Sequence, residues 1–440
     1  MRYIANTDAD RQAMLDAIGR SSLDELFSDI PQTVADRFRP IGIPPQSEFD
    51  VVRTLSAIAS DNPAAKMVPF LGEGIYDHYT PSIVSHITGR SEFYTAYTPY
   101  QPEISQGTLT TMFEYQTLVC ELVGMEVANA SMYDGATALA EAALMADRIR
   151  KTGRIAVARS LHPHLRRTLD TYCWAAGIER IELPFDSAGR CDSSNVPQDV
   201  SAVIVQTPNT FGVLERLEGL KERIGEALLI VSTYPIALGI LEPPGSYGAD
   251  IVVAEGQSLG LPMAFGGPLL GLFATRPEYL RQMPGRVAGR TLDEDGNIGY
   301  VMASQTREQH IRRQRATSNI CTNSALCALA ATVYLATLGA DGLRQIAELN
   351  LEKAHYLADR LTGLDGVDLL FDAPFFNEFI LRVSEDPGTL CARAKAAGFL
   401  VSPLRGFDEL DDTHAVRIAV TEKRSKEELD ALTDVVGGRA

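Results

Sequence analysis

Lysine is scarce in this 440-residue chain, and its amines are unevenly placed. The lysines are Lys66, Lys151, Lys221, Lys353, Lys395, Lys423 and Lys426, which leaves none between Lys221 and Lys353. A lysine shielded from water loses its proton readily and attacks a carbonyl carbon, so imine chemistry needs one. A chain-wide preference for arginine explains the gap without reference to chemistry. The thiols Cys120, Cys173, Cys191, Cys321, Cys327 and Cys391 form no CxxC pair and no Cys/His zinc spacing, and read as reduced. His162 and His164 could chelate a metal, but no acidic or imidazole partner is identifiable nearby, which favours an ordinary loop or interface role. Gly72-Glu73-Gly74 lacks the third glycine and the preceding strand of a dinucleotide site. No phosphate-binding GxxxxGKS/T loop, GxSxG elbow or HExxH helix occurs.

Arg276, Arg281, Arg286, Arg290, Arg307, Arg312, Arg313 and Arg315 crowd one stretch that five acids dilute. The planar guanidinium fork suits carboxylates and small anions at an interface better here than a nucleic-acid groove. A formal charge of −17 points the same way, against polyanions and anionic membrane surfaces as partners. The start MRYIANTDADRQAM lacks the basic residues and apolar run of a signal peptide, and no uninterrupted apolar stretch is expected to span a bilayer. A cytoplasmic protein is expected.

The elements that must position these residues fall into three parts. Residues 1–62 read as a helical arm: Thr7 or Asp8, Ser22, and Ser47 with Asp50 can cap helices, and Pro31, Pro40, Pro44 and Pro45 separate them. Residues 63–325 read as a large α/β domain. Its short aliphatic runs at 201–206, 227–232, 250–255 and 269–275 suit buried strands, with helical patterns at 105–123, 136–151, 163–175 and 216–225. Such alternation favours a mostly parallel sheet covered on both faces. Residues 326–440 read as a linking helix and a small α+β domain, with helical patterns at 321–338, 341–361, 387–397 and 425–436.

Residues 70–146, with the blocks YTPYQPEISQG and NASMYDGATA, closely resemble the glycine cleavage system P-protein family. REQHIRRQRATSNICTN (307–323), APFFNEFIL (373–381) and AVTEKRSKEEL (419–429) extend the resemblance over nearly the whole chain. The family occurs as one long chain of two related halves or as two subunits, and this sequence is similar to the N-terminal half, subunit 1. The resemblance implies the aspartate-aminotransferase type (fold type I) of pyridoxal phosphate-dependent fold. It also implies glycine decarboxylation, with transfer of the aminomethyl group to the lipoyl group of H-protein.

In that fold a small-residue turn opening a helix holds the cofactor phosphate, and Ser131 to Thr137 occupy that turn here. Ser131 is a weak or vestigial anion candidate; Asp134 either repels a phosphate or caps the helix. The strand that normally ends in an aspartate for the pyridine nitrogen has Ser232, Thr233 and Tyr234 instead, and the next strand has Glu255, Gln257 and Ser258 in place of a Schiff-base lysine. No catalytic residue of its own is therefore expected, nor a bound metal. The resemblance implies pyridoxal phosphate on a lysine-bearing subunit 2, with this chain as one wall of that partner's glycine site. Tyr97, Tyr100, Gln101 and Glu103, between stiffening prolines, are the candidates for that wall, the alternative being a plain interface loop. The resemblance extends a tentative role on the partner's phosphate to Thr317, Ser318 and Asn319, which could instead cap the following helix. Asn377 either faces the cleft or bonds along a strand edge, and Arg417 resembles the carboxylate-binding arginines of the wider fold. The rival reading is a catalytically silent homologue serving regulation or assembly.

Overall fold

The computed structural model describes residues 5–39, 41–264, 266–407, 410 and 414–439. It divides into two compact units, Met1–Ala65 and Lys66–Ala440. The smaller unit is helical. α1 (Asp8–Ala17) starts at Thr7, whose hydroxyl accepts from Asp10 N while the Asp10 carboxylate accepts from Thr7 N. α2 (Glu48–Ser60) starts at Ser47, which accepts from Asp50 N. Ser22 caps nothing: the short 3-10 turn Asp24–Phe27 begins after Leu23, without a side-chain cap.

The larger unit is built on a seven-stranded sheet. Its strands are β1 (Val127–Ala128), β2 (Arg154–Ala158), β3 (Glu179–Leu183), β4 (Ala202–Thr207), β5 (Leu228–Thr233), β6 (Ile251–Glu255) and β7 (Gly271–Thr275), in the order β1-β7-β6-β5-β4-β2-β3. β3, β2, β4, β5 and β6 run parallel; β7 is antiparallel to β6 and β1 to β7. The four aliphatic runs expected as strands are strands. β2 and β3 were not among the expected runs; β2 has an arginine at its start and β3 carries Glu179, Arg180 and Glu182 in five residues.

Side-chain alternation explains why the central strands are apolar throughout. Val203, Val205, Leu229, Val231, Val252 and Ala254 face one core, into which α3 (Gln106–Val123) sends Tyr115, Val119 and Val123. Ala202, Ile204, Leu228, Ile230, Ile251 and Val253 face a second core, closed by the alanine-rich α4 (Gly135–Arg150) and by α5 (Pro163–Ala176). With both faces dry along their middles, these strands are apolar there, and their polar residues come only at the carboxyl ends.

The arginine-rich stretch contains an antiparallel hairpin, β8 (Val287–Leu292) with β9 (Ile298–Ala303). The helices expected at 321–338 and 341–361 form α6 (Ala325–Thr362), broken at Gly339, where φ is 60° and ψ −173°. α6 is long and apolar enough by composition to cross a bilayer, contrary to the expectation that nothing here is; half of its most apolar window is buried within the protein. The helix expected at 216–225 shrinks to Leu220–Arg223. A four-stranded antiparallel sheet follows: β10 (Val367–Leu369), β11 (Glu378–Val383), β12 (Ser402–Pro403) and β13 (Ala415–Ala419), in the order β10-β11-β13-β12. α7 (Pro387–Ala396) and α8 (Lys426–Val436) contribute Leu390, Leu429, Leu432 and Val435 to its core.

Candidate functional site

The ends of parallel strands leave a crevice wherever helices on opposite faces diverge, and ligands of such sheets bind there. In this chain a cavity of about 360 Å³ opens at the carboxyl ends of β4, β5 and β6, where Gln206, Ser232, Thr233 and Glu255 line it. The N-termini of α4 and α5 contribute Asp134, Gly135, His162 and His164, and the segment Glu73–Tyr76 covers one side.

Carboxylates fill the amide-rich end of this cavity. Asp134 is the N-cap of α4: its Oδ1 accepts from Thr137 N at 2.7 Å, and the Thr137 hydroxyl answers toward the Asp134 backbone. Glu255 Oε2 accepts from Gly135 N at 2.9 Å, and its Oε1 accepts from Gln257 N and Leu270 N. Burial nevertheless pushes the Glu255 carboxyl up from 4.5 to about 7, against the pull of those amides. A further anion about 4 Å from an ionised carboxylate would be repelled by roughly 4 kcal/mol at an effective dielectric constant of about 20. The capping role of Asp134 is thus what the helix start uses, and a phosphate does not fit beside these two acids.

No lysine lines the cavity. Lys221 donates to Asp250 and to the Ala227 carbonyl, Lys353 to the Glu422 carbonyl, Lys423 to Asp77 and Lys426 to Asp430. Ser232, Thr233 and Tyr234 stand at the end of β5, where the resemblance led to the expectation of an aspartate. The residues present therefore do not fit a pyridoxal phosphate held by this chain.

Beneath the cavity lies a charge cluster. Arg417, fully buried on β13, donates from Nη1 to Glu378 Oε1 at 3.0 Å and to the Thr210 carbonyl, and its Nε is 3.4 Å from Glu73 Oε1. Tyr76 OH donates to Glu378 Oε2 at 2.7 Å. This arginine is paired with the chain's own acids, with its Nη2 left without a hydrogen bond. Close by, His78 bridges Glu422 (2.7 Å from Nδ1) and the hydroxyl of Tyr234. The HxH pair is no chelate: His162 Nδ1 accepts from His164 N as the cap of α5, and the two rings stack at 5.2 Å. Among the described residues no group of three His, Cys, Asp or Glu side chains is placed to hold a metal.

The tyrosine-rich loop lies apart from this cavity, since none of its residues is in the lining. Tyr97 is 87% exposed and Tyr100 55%; Gln101 and Glu103 are also exposed. Tyr100 lies over the Arg286 guanidinium, 5.7 Å from its ring centroid, with His310 edge-on at 6.3 Å. Arg286, itself only 4% exposed, donates from Nη1 to Thr98 Oγ1 at 3.0 Å and Thr322 Oγ1 at 3.1 Å, and so ties the loop to the 317–323 segment. Sequence reasoning placed Arg286 in an arginine-rich interface but missed this tie, because its partners Thr98 and Thr322 are 188 and 36 residues away in sequence.

Several expectations need correction. Thr317, Ser318 and Asn319 do not cap α6: the helix starts later, and the Ser318 hydroxyl accepts from Ile320 N. Ser131 holds that helix start instead. Fully buried, it accepts from Ser324 N at 3.0 Å, and it is not among the residues that line the cavity. Asn377 is 2% exposed and donates to the Val420 carbonyl, a bond along the sheet rather than into the cleft. The structure thus links Tyr100, through Arg286, to Thr322 and so to the stretch whose Ser324 bonds Ser131, whereas Asn377 bonds Val420 instead.

A family model described as glycine cleavage system P-protein matches residues 1–436. A probable glycine dehydrogenase (decarboxylating) subunit 1 from Carboxydothermus hydrogenoformans is 49% identical, with both chains covered in full. One from Thermotoga maritima is 50% identical over 99% of each chain. Among solved structures, glycine decarboxylase (P-protein) of the glycine cleavage system, in inhibitor-bound form, superposes with a TM-score of 0.93 at 41% identity, covering all of both chains. A sphingosine-1-phosphate lyase from Burkholderia pseudomallei, at 14% identity and a TM-score of 0.67 over 92% of this chain and 93% of its own, shares the fold alone.

Proposed function

Because this chain belongs to the glycine cleavage system P-protein family and serves as the subunit-1 type of glycine dehydrogenase (decarboxylating), we propose that it completes its partner subunit's active site without containing one. The observation that carries this reading is the cavity at the strand ends, which has no lysine and has carboxylates on the amides that open α4. Pyridoxal phosphate, which this fold family uses, belongs on a lysine-bearing subunit 2.

Tyr97, Tyr100, Gln101 and Glu103 form the wall offered to that subunit. Their phenols, amide and carboxylate orient glycine and exclude water, and Arg286 fixes the loop from below through Thr98 and the Tyr100 ring. Thr317, Ser318 and Asn319, on the adjoining segment, supply hydroxyl and amide groups toward the partner's phosphate. The aminomethyl group passes to the lipoyl group of H-protein, and the complex works in the cytoplasm.

Tyr97→Phe, Tyr100→Phe and Gln101→Ala test the wall in a reconstituted heteromer. Each lies on an exposed loop, so assembly followed by size-exclusion chromatography should be unchanged. Decarboxylation should fall about tenfold or more, as expected where an oriented hydrogen bond is lost. Unchanged rates in all three would leave this chain a regulatory or assembly subunit.

A further inference from the structure

The cavity at the carboxyl ends of β4, β5 and β6 retains ligand-sized volume and an unspent hydrogen-bonding group. His162 Nδ1 accepts from His164 N at 3.2 Å, so the neutral ring carries its proton on Nε2. Burial keeps it neutral at physiological pH. His162 is 5% exposed, and its Nε2 has no partner; the nearest acid oxygen, Glu73 Oε2, is at 4.0 Å, beyond hydrogen-bond reach. A buried donor left unmade is costly unless something accepts from it.

The charge of the lining restricts what that something is. Glu73, Asp134 and Glu255 face the cavity, and neither lysine nor arginine does. Asp134 and Glu255 already satisfy the α4 amides, and Glu73 Oε1 lies 3.4 Å from Arg417 Nε, which leaves Glu73 Oε2, on the His162 side, as the acid oxygen open to a new partner. Glu73 projects from a backbone at φ 68°, held there by its N–H bond to Glu378 Oε1. Its side chain remains about one-third exposed, open to a ligand. Ile75, Leu165 and Leu269 supply apolar walls.

We propose that this cavity binds a small primary-ammonium compound with a neutral oxygen beside the ammonium, as in an amino alcohol. The ammonium lies against the Glu73 carboxylate and the oxygen accepts from His162 Nε2. The 4.0 Å between those two protein atoms suits neighbouring groups on one small ligand. A phosphate or carboxylate ligand would meet the acids of the lining instead.

Calorimetric titration of the full chain with 2-aminoethanol at about pH 8, where carboxylates are ionised, should give saturable one-to-one binding. 1-Propanol, which lacks the ammonium, and inorganic phosphate should give none, and glycine should bind more weakly than the amino alcohol. Glu73→Gln should weaken binding about tenfold, as loss of a charged hydrogen bond does. His162→Asn keeps a capping oxygen for α5 while removing the distal donor, and should weaken binding to a similar extent with the fold intact by circular dichroism. The proposal is overturned if 2-aminoethanol does not saturate, if 1-propanol, phosphate or glycine binds as well, or if either variant binds like the wild type. Binding to the isolated chain is independent of turnover by the heteromer, so this result stands whether or not the loop variants alter decarboxylation.

Discussion

Glu255 concentrates the conflict that shapes the cavity: three backbone amides favour its charge, and burial opposes it more strongly. Its carboxyl in the folded chain sits at about 7, above the usual 4.5, so the folded state holds a proton that the unfolded state releases. The stability this contributes is fully present below pH 4.5 and is lost as pH rises through 7. Relative to Glu255→Gln, the wild type should therefore lose roughly 3 kcal/mol across that window. Urea melts of both proteins at either end of the window measure it, and a pH-independent difference would contradict the burial argument. At this scale the sequence was legible where the partner is local. Asp134 as a helix cap lies three residues from the amide it bonds. Ser131 misled because its partner, Ser324, is 193 residues distant, and Glu255 was recognisable only as the absence of lysine.

At the scale of elements, burial on both faces of the sheet made the central strands readable, since all but their carboxyl-end residues are apolar. β3 at the sheet's edge and the β8–β9 hairpin were harder, because charged residues at an edge or on an exposed ribbon mask the two-residue period. Contact between elements is set by small residues that no periodicity reveals. Gly135 is the example: a Cβ there would stand 2.9 Å from Glu255 N and 3.0 Å from its Cα, so α4 can start against the end of β6 only without a side chain. Gly135→Ala should push the helix start outward, weaken the Gly135 N to Glu255 bond, and destabilise the chain by about 1–3 kcal/mol, the usual cost of overpacking. Thermal or chemical denaturation reads the loss directly. A variant as stable as the wild type would mean that α4 shifts freely, and that the carboxylate is not pinned by it.

For the whole molecule, the division of labour rests on three features that the sequence places far apart and the fold evaluates together: no lysine at the cavity, acids at the α4 amides, and a tyrosine loop facing solvent. The first was visible as the Lys221 to Lys353 gap, although arginine preference alone could have produced it. The second gives the gap its meaning, because a chain that had merely lost a lysine would keep an anion site able to hold the phosphate. Incubation of the isolated chain with pyridoxal phosphate followed by gel filtration should therefore leave no cofactor absorbance on the protein, and borohydride should fix none to it. Restoring a lysine alone, as Gln257→Lys, should not rescue retention while Asp134 and Glu255 still occupy the amides. Addition of the lysine-bearing subunit should bring stoichiometric, borohydride-fixable cofactor, attached by peptide mapping to that subunit alone. Cofactor fixed to any of the seven lysines of this chain would contradict the assignment, since those donating to Asp250, Glu422, Asp77 and Asp430 would have to abandon their present partners.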